Sequence, residues 1–208
     1  MSSETIDTHS IGPQLSLDEV AIPGAVGERM ARLYGVDERP RTAADWMAVS
    51  EAELAESHGR RPTVADLCTS DDGAHTFTGA GASGESQSYV CVLDPLAYPF
   101  LVDEPGTVRS ETPLRETAVT FEIGRESLEV TPESAVVSLG VSDHVDAVET
   151  VAFETVYRQV CGYIHAFEDE DEYEEWAADA EAATTALPAE EGVALAREIA
   201  LVLFDAES

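Results

Sequence analysis

Four short segments between residues 106 and 141 carry β-branched or aromatic residues, most of them in alternation with polar ones. They read GTVRSET, AVTFEIG, SLEVTP and SAVVSLGV, and turn-forming residues separate them. A period of two, or a short β-branched run, is typical of strands that bury at least one face. This stretch is therefore predicted to form a mixed or antiparallel sheet.

Helical patterns lie on both sides of these strands. Residues 17–68 predict several short helices, and Ser50 with Glu53 has the spacing of a capping box that would start a new helix. A final helix is predicted after Pro188, because its apolar residues recur at helical spacing. These residues are Leu195, Ile199, Val202 and Leu203. The predicted fold class is α+β, with a small helical N-terminal subdomain followed by a sheet with packed helices.

The chain is predicted to divide into four parts. The stretch TSDDGAHTFTGAGASGESQS is rich in turn-forming residues and predicts a connection with one short strand at its middle. The predicted parts are a flexible N-terminus (1–16), the helical subdomain (17–68), a linker (69–88) and an α+β domain (89–208).

The segment VCGYIHAF, residues 160–167, alternates apolar and small residues. It predicts a strand with Cys161, Tyr163, His165 and Phe167 on one face. An acidic helix, EDEDEYEEWAADAEAA, is predicted directly after it, with its charges on a solvated face.

The chain is strongly acidic. It has 42 acidic and 11 basic residues among 208, a formal net charge of -31, and no lysine. Such a surface either serves one function or reflects adaptation to high salt, and the spread of acids along the whole chain favours salt adaptation. No basic cluster is present that could neutralise phosphates, so nucleic acid is not an expected partner.

The sequence contains no apolar run long enough to cross a bilayer and no signal-peptide pattern. We therefore expect a cytoplasmic protein that does not bind membranes. In a reducing compartment its cysteines, Cys68, Cys91 and Cys161, are expected to be thiols rather than a disulfide framework.

The apolar run CVLDPLAYPFLV, residues 91–102, places Cys91 three residues before Asp94. If a helix begins here, its dipole favours a Cys91 thiolate, and Asp94 lies one turn later on the same face. Asp94 could also serve only as a helix cap. A carboxyl among apolar residues would otherwise tend to keep its proton.

Two separated motifs, YVCVLDPLAYPFLV and VYRQVCGYIHAF, resemble those of the organomercurial (alkylmercury) lyase family. In that family one cysteine stands three residues before an aspartate, and a second stands four residues before a histidine in a strand. The likeness covers about residues 85–205. The matching positions here are Cys91, Asp94, Cys161 and His165, and the acidity favours a salt-adapted, haloarchaeal-type member.

The resemblance implies protonolysis of carbon–mercury bonds, which yields a hydrocarbon and Hg(II). Cys91, Cys161 and Asp94 would be the catalytic residues and would also bind mercury as substrate and product. No cofactor is implied. The implied partners are a small organomercurial substrate and a mercuric reductase or another thiol acceptor for Hg(II).

Other interpretations stay open. The same thiols could bind or sense a soft metal, Hg(II) or Cu(I), without lyase activity. Cys91, Cys161, Asp94 and His165 could together hold Zn(II), although no Cys-x2-Cys pair is present. An unrelated activity on a shared fold is the third alternative. Cys68 is expected to be a small buried structural residue, and His165 a packing residue.

Overall fold

The computed structural model describes residues 16–58, 60–81, 86–125, 127–145 and 153–205. The predicted flexible N-terminus lies outside these residues, apart from Ser16. The described α-helices are α1 (Gly24–Tyr34), α2 (Ala43–His58), α3 (Leu93–Val102), α4 (Phe153–Gln159), α5 (Glu170–Asp179) and α6 (Ala189–Leu203). The strands are β1 (His75–Gly79), β2 (Ser86–Tyr89), β3 (Gly106–Glu111), β4 (Ala118–Ile123), β5 (Leu128–Thr131), β6 (Val136–Ser142), β7 (Ala166–Phe167) and β8 (Ala182–Pro188). Two short 3-10 helices lie at Val64–Asp66 and Cys161–Tyr163.

The predicted strands form an antiparallel five-stranded sheet in the order β2-β1-β3-β4-β5. Strand β4 follows the predicted alternation, because Val119, Phe121 and Ile123 are buried while Glu122 between them is exposed. The expected α+β class and antiparallel pairing are confirmed.

A second antiparallel sheet has the order β7-β6-β8. Strand β6 is buried at nearly every position, since helix α6 packs on one side of it and the 3-10 helix Cys161–Tyr163 on the other. Helix α6 begins after Pro188 as predicted. Its buried surface is wider than the predicted stripe because α2 and α3 also pack against it.

The predicted break at Ser50 is wrong. Helix α2 runs without interruption through this residue, and the buried Ser50 hydroxyl donates a hydrogen bond to the Tyr34 hydroxyl at 2.9 Å. The capping interactions lie earlier, where Thr42 Oγ1 accepts from the Asp45 amide and Asp45 accepts from the Thr42 amide. The spacing of Ser50 and Glu53 cannot show whether the serine caps a helix or bonds to a side chain that is distant in sequence, as it does here.

The segment 69–88, predicted as a linker with one short strand at its middle, has that strand and also belongs to the first sheet. It supplies strand β1, which pairs with both β2 and β3, and most of β2. Strand β1 buries His75 and Phe77. Small polar residues are tolerated in β1 because the positions that alternate with His75 and Phe77 are less buried.

The predicted strand 160–167 is also wrong over most of its length. Residues 161–163 form a 3-10 helix, and only Ala166 and Phe167 pair with β6. None of the described helices is long and apolar enough to span a bilayer.

Candidate active site

Cys91 lies in the turn between strand β2 and helix α3, and only 2% of its surface is exposed. The next residue joins this turn to the segment after Cys161, because the Val92 amide donates a hydrogen bond to the Ile164 carbonyl at 3.2 Å. This bond brings together two segments that are about 70 residues apart in sequence.

Cys161 opens the 3-10 helix and is also buried, with 7% exposure. Strand β6 holds the end of that helix through Ser138. The Ser138 hydroxyl donates to the Tyr163 carbonyl and accepts from the His165 amide, both at 2.9 Å. The position of Cys161 is therefore fixed by the second sheet, whereas that of Cys91 is fixed by the first.

Cys68, which was expected to be a small buried structural residue, lies in the same cluster. Its carbonyl accepts from the Val90 amide at 2.9 Å, which attaches it to the end of strand β2. Its sulfur lies 3.6 Å from the Cys161 sulfur. Unlike the other two thiols, Cys68 is partly exposed.

Asp94 lies in the first turn of α3 but does not cap it, since the helix begins at Leu93 and the side chain turns elsewhere. Its Oδ2 accepts a hydrogen bond from the Cys68 amide at 2.7 Å. The carboxyl also interacts with the Cys68 and Cys91 thiols. The structure thus brings together the three predicted residues Cys91, Asp94 and Cys161, and adds Cys68.

The environment of the cluster favours protonated acids. Burial raises the pKa of Asp94, although the hydrogen bond from the Cys68 amide partly opposes this effect. For the Cys91 thiol, contact with Cys161 is the largest influence and lowers its pKa, but burial and the charge of Asp94 outweigh that contact and leave the pKa raised.

The surroundings of Cys161 also favour its protonated thiol. Interactions with the thiols of Cys68 and Cys91, and then burial, raise the pKa of Cys161 well above its ordinary value. A buried cluster that retains protons can deliver one to a bound molecule, and binding of a soft metal would displace the rest.

The cluster lines a cavity of about 120 Å³. Apolar side chains from helix α6 and its surroundings, including Leu203 and Phe204, form much of the wall. Helices α1 and α2 contribute Tyr34 and Trp46, and the Tyr34 hydroxyl accepts hydrogen bonds from the Trp46 indole and the Ser50 hydroxyl. The N-terminal helices therefore complete the site.

His165 does not line this cavity. Its Nε2 lies 3.0 Å from the Gly162 carbonyl oxygen, and its ring packs edge-on against Trp176 with 5.4 Å between ring centroids. Across the described part of the chain, no group of three or more His, Cys, Asp or Glu side chains is arranged to hold a metal ion. The four-ligand zinc arrangement considered from the sequence is not formed by these residues.

Comparison with known proteins adds a family and a fold. A family model described as alkylmercury lyase matches residues 69–201. No curated protein matches the chain. Among solved structures, the crystal structure of the mercury-bound form of MerB2 matches with 14% sequence identity and a TM-score of 0.50, covering 90% of this chain and 94% of that one. At this identity the structural likeness indicates a shared fold.

Proposed function

Because the chain belongs to the alkylmercury lyase family, we propose that it cleaves carbon–mercury bonds with Cys91 and Cys161 as mercury ligands and Asp94 as proton donor. The observation that carries this proposal is the cluster of thiols and one desolvated carboxyl in a largely apolar cavity. Thiolates are the ligands that a soft metal prefers. A carboxyl that keeps its proton beside them supplies what the leaving carbon needs.

The proposed sequence of steps begins at Cys91. The Cys91 thiol loses its proton, its sulfur bonds to mercury in place of the counterion of the organomercurial, and Cys161, whose pKa is raised by the neighbouring thiols and by burial, keeps its proton for the next step. The Cys161 proton then passes through Asp94 to carbon while the Cys161 sulfur bonds to mercury. The carbon–mercury bond breaks, one hydrocarbon leaves, and Hg(II) remains held by two thiolates. Mercury keeps its oxidation state, so the step needs no redox cofactor.

The cavity is suited to a small organic group. An apolar protein cavity of about 150 Å³ is known to bind benzene. The 120 Å³ cavity here is somewhat smaller but open to one side, and its wall includes Trp46 and Ile199. Methyl and phenyl groups are therefore the substrates proposed for it.

The setting of the reaction is part of the same proposal. The 42 acidic residues and the absence of lysine support a salt-adapted, haloarchaeal-type enzyme that works in the cytoplasm. Its Hg(II) product would pass to a mercuric reductase or to a small thiol. Nucleic acid and membranes are not proposed as partners.

The test is release of benzene from phenylmercury acetate in buffer with molar KCl, followed by gas chromatography. We expect wild type to release benzene and the Cys161→Ser variant to lose most of this activity. Benzene release by that variant at the wild-type rate would show the mechanism to be wrong. Tight mercury binding by wild type without any benzene would instead favour the soft-metal binding protein.

A further inference from the structure

The site contains one sulfur more than the proposed reaction uses. Cleavage needs two thiolates on mercury, and Cys91 and Cys161 supply them. Yet Cys68 reaches the same point from a different segment, with its sulfur 3.6 Å from that of Cys161. This is direct contact between two thiols whose residues are 93 positions apart.

The three sulfurs also differ in exposure. Cys91 is 2% exposed and Cys161 is 7% exposed, whereas Cys68 is partly open to solvent. Cys161 contacts the partly exposed Cys68 and also interacts with the buried Cys91. The sulfurs therefore form a series from the buried end of the cluster toward solvent, with Cys161 in the middle.

A buried Hg(II) ion held by two thiolates is difficult to release, because an external thiol must reach it before either bond can break. Ligand exchange at mercury proceeds through attack by another sulfur. We propose that Cys68 is a third mercury-binding thiol, which replaces Cys91 on the Hg(II) product and, paired with Cys161, presents the ion to an external thiol. This role rests on the proposed lyase function.

The exchange balances without a redox partner. The Cys68 sulfur loses its proton to solvent and bonds to Hg(II), the bond from mercury to the Cys91 sulfur breaks, and Cys91 takes up a proton. An external thiol then repeats the exchange at the Cys68–Cys161 pair. Because the described residues contain no preformed group of three metal ligands, the sulfurs are assigned to act two at a time.

The side chain is the part of Cys68 that this role requires. The Cys68 backbone amide holds Asp94, and substitution of the side chain leaves that amide in place. Serine is close to cysteine in size but is a poor mercury ligand. Cys68→Ser therefore removes the sulfur but keeps the backbone contact and a side chain that can still donate a hydrogen bond to Asp94.

The first experiment measures binding of Hg(II) chloride, with no organomercurial present. Cys91→Ser keeps the Cys68–Cys161 pair and is expected to retain one mercury per chain after desalting in glutathione. The Cys68→Ser/Cys91→Ser double variant is expected to retain at least tenfold less. Mercury content and the ultraviolet absorption of the mercury–thiolate bond give the readout. Equal retention by the two variants would overturn the proposal.

The second experiment measures release of Hg(II) from the loaded protein to added cysteine. We expect release from Cys68→Ser to be at least tenfold slower than from wild type. Ser70→Ala, a substitution of similar size two residues away, should match wild type. Equal release rates for wild type and Cys68→Ser would also contradict the proposal. A second variant, Cys68→Ala, should release Hg(II) as slowly as Cys68→Ser, and circular dichroism of both variants checks that they are folded.

These outcomes separate the two proposals. If wild type releases no benzene from phenylmercury, the lyase function fails whatever Cys68 does. If wild type releases benzene but removal of the Cys68 sulfur changes neither retention nor release of Hg(II), only the exchange role fails.

Discussion

At the scale of single residues, Asp94 combines two opposed influences. Burial raises its pKa, while the Cys68 amide 2.7 Å from Oδ2 stabilises the ionised form. Since the net effect is a raised pKa, the carboxyl holds its proton more readily, and the Cys68 amide stabilises the carboxylate once the proton has been passed on. That property suits a group that takes a proton from a thiol and passes it to carbon.

Asp94→Asn tests this assignment. An asparagine oxygen can still accept from the Cys68 amide, but the amide side chain cannot relay a proton. We expect hydrocarbon release to fall by about 100-fold or more, in the range typical of a general acid, while Hg(II) affinity stays within a few-fold of wild type. Benzene release and mercury titration measure the two properties. Loss of both together would indicate that Asp94 serves mainly to shape the site.

His75 carries a second residue-scale prediction, on stability. It is fully buried in β1, its Nδ1 lies 2.6 Å from the Ser110 hydroxyl, and its Nε2 has no hydrogen-bond partner in the described residues. Burial, followed by the nearby His165, lowers its pKa to about 3 from 6.5. Below pH 6.5 the unfolded chain binds a proton that the folded chain rejects. The free energy of unfolding therefore falls as the pH drops from 6.5 toward 3.

We expect His75→Gln to remove this dependence on pH. Between pH 6 and pH 4 the free energy of unfolding of the variant should fall less steeply than that of wild type. The difference between the two slopes should be up to about 1.4 kcal/mol per pH unit. Urea denaturation at several pH values provides the measurement. His144→Gln alters a histidine with 76% side-chain exposure and serves as the control. Parallel curves for wild type and His75→Gln would refute the prediction.

Cys91, Asp94 and Cys161 could be predicted as candidate site residues because each belongs to a motif that resembles those of a known family. Cys68 has no such pattern, since it stands alone between a 3-10 helix and a turn. Its position beside the other two thiols follows from a bridge between Thr69 and Tyr89 and from contact with Cys161. Contacts between distant segments cannot be read from spacing in one sequence.

At the scale of secondary-structure elements, the short 3-10 helix Cys161–Tyr163 is where sequence reasoning failed most clearly. Alternation in VCGYIHAF predicted a strand, but the Tyr163 amide bonds to the Val160 carbonyl and the Ile164 amide to the Cys161 carbonyl. These local bonds turn the chain back toward α3. A strand here would have carried Cys161 along β6 rather than toward Cys91.

Gly140 on β6 sets how closely this 3-10 helix can approach the sheet. A Cβ at this position would lie 2.7 Å from Tyr163 Cβ and 2.9 Å from Thr184 Cγ2. We expect Gly140→Ala to destabilise the fold by about 1–3 kcal/mol and to slow benzene release by displacing Cys161. Thermal denaturation and turnover test the two effects.

Gly162 provides the matched control, because it is next to Cys161 but an added Cβ would meet nothing within 4 Å. Gly162→Ala should keep both stability and turnover near wild-type values. If Gly140→Ala behaved like Gly162→Ala, close packing of the 3-10 helix on β6 would not control the site.

At the scale of the whole molecule, the site lies where separate layers meet. One hydrophobic cluster includes Val26 of α1, Phe121 of the first sheet and Leu195 of α6. The α+β class and the antiparallel strands could be predicted because alternation is a local property. The packing of α1 and α2 over the cavity could not, because helical periodicity shows which face is apolar and not what covers it.

The charge of the molecule gives the last prediction. A net charge of -31 on 208 residues opposes folding at low salt through mutual repulsion. Because the screening length falls from about 10 Å at 0.1 M salt to about 3 Å at 1 M, the free energy of unfolding should rise with KCl over this range. Helix α5 exposes Glu174, Glu175 and Asp179, and Asp179 lies in its last turn, where the helix dipole also disfavours negative charge. The variant Glu174→Gln/Glu175→Gln/Asp179→Asn should therefore be more stable than wild type at 0.1 M KCl, and its free energy of unfolding should rise less with added salt.

The control variant Glu174→Asp/Glu175→Asp retains the negative charges, so its stability should follow that of wild type at every KCl concentration. Urea denaturation across the KCl series measures all three proteins, and a stability that does not change with KCl would contradict adaptation of this chain to high salt.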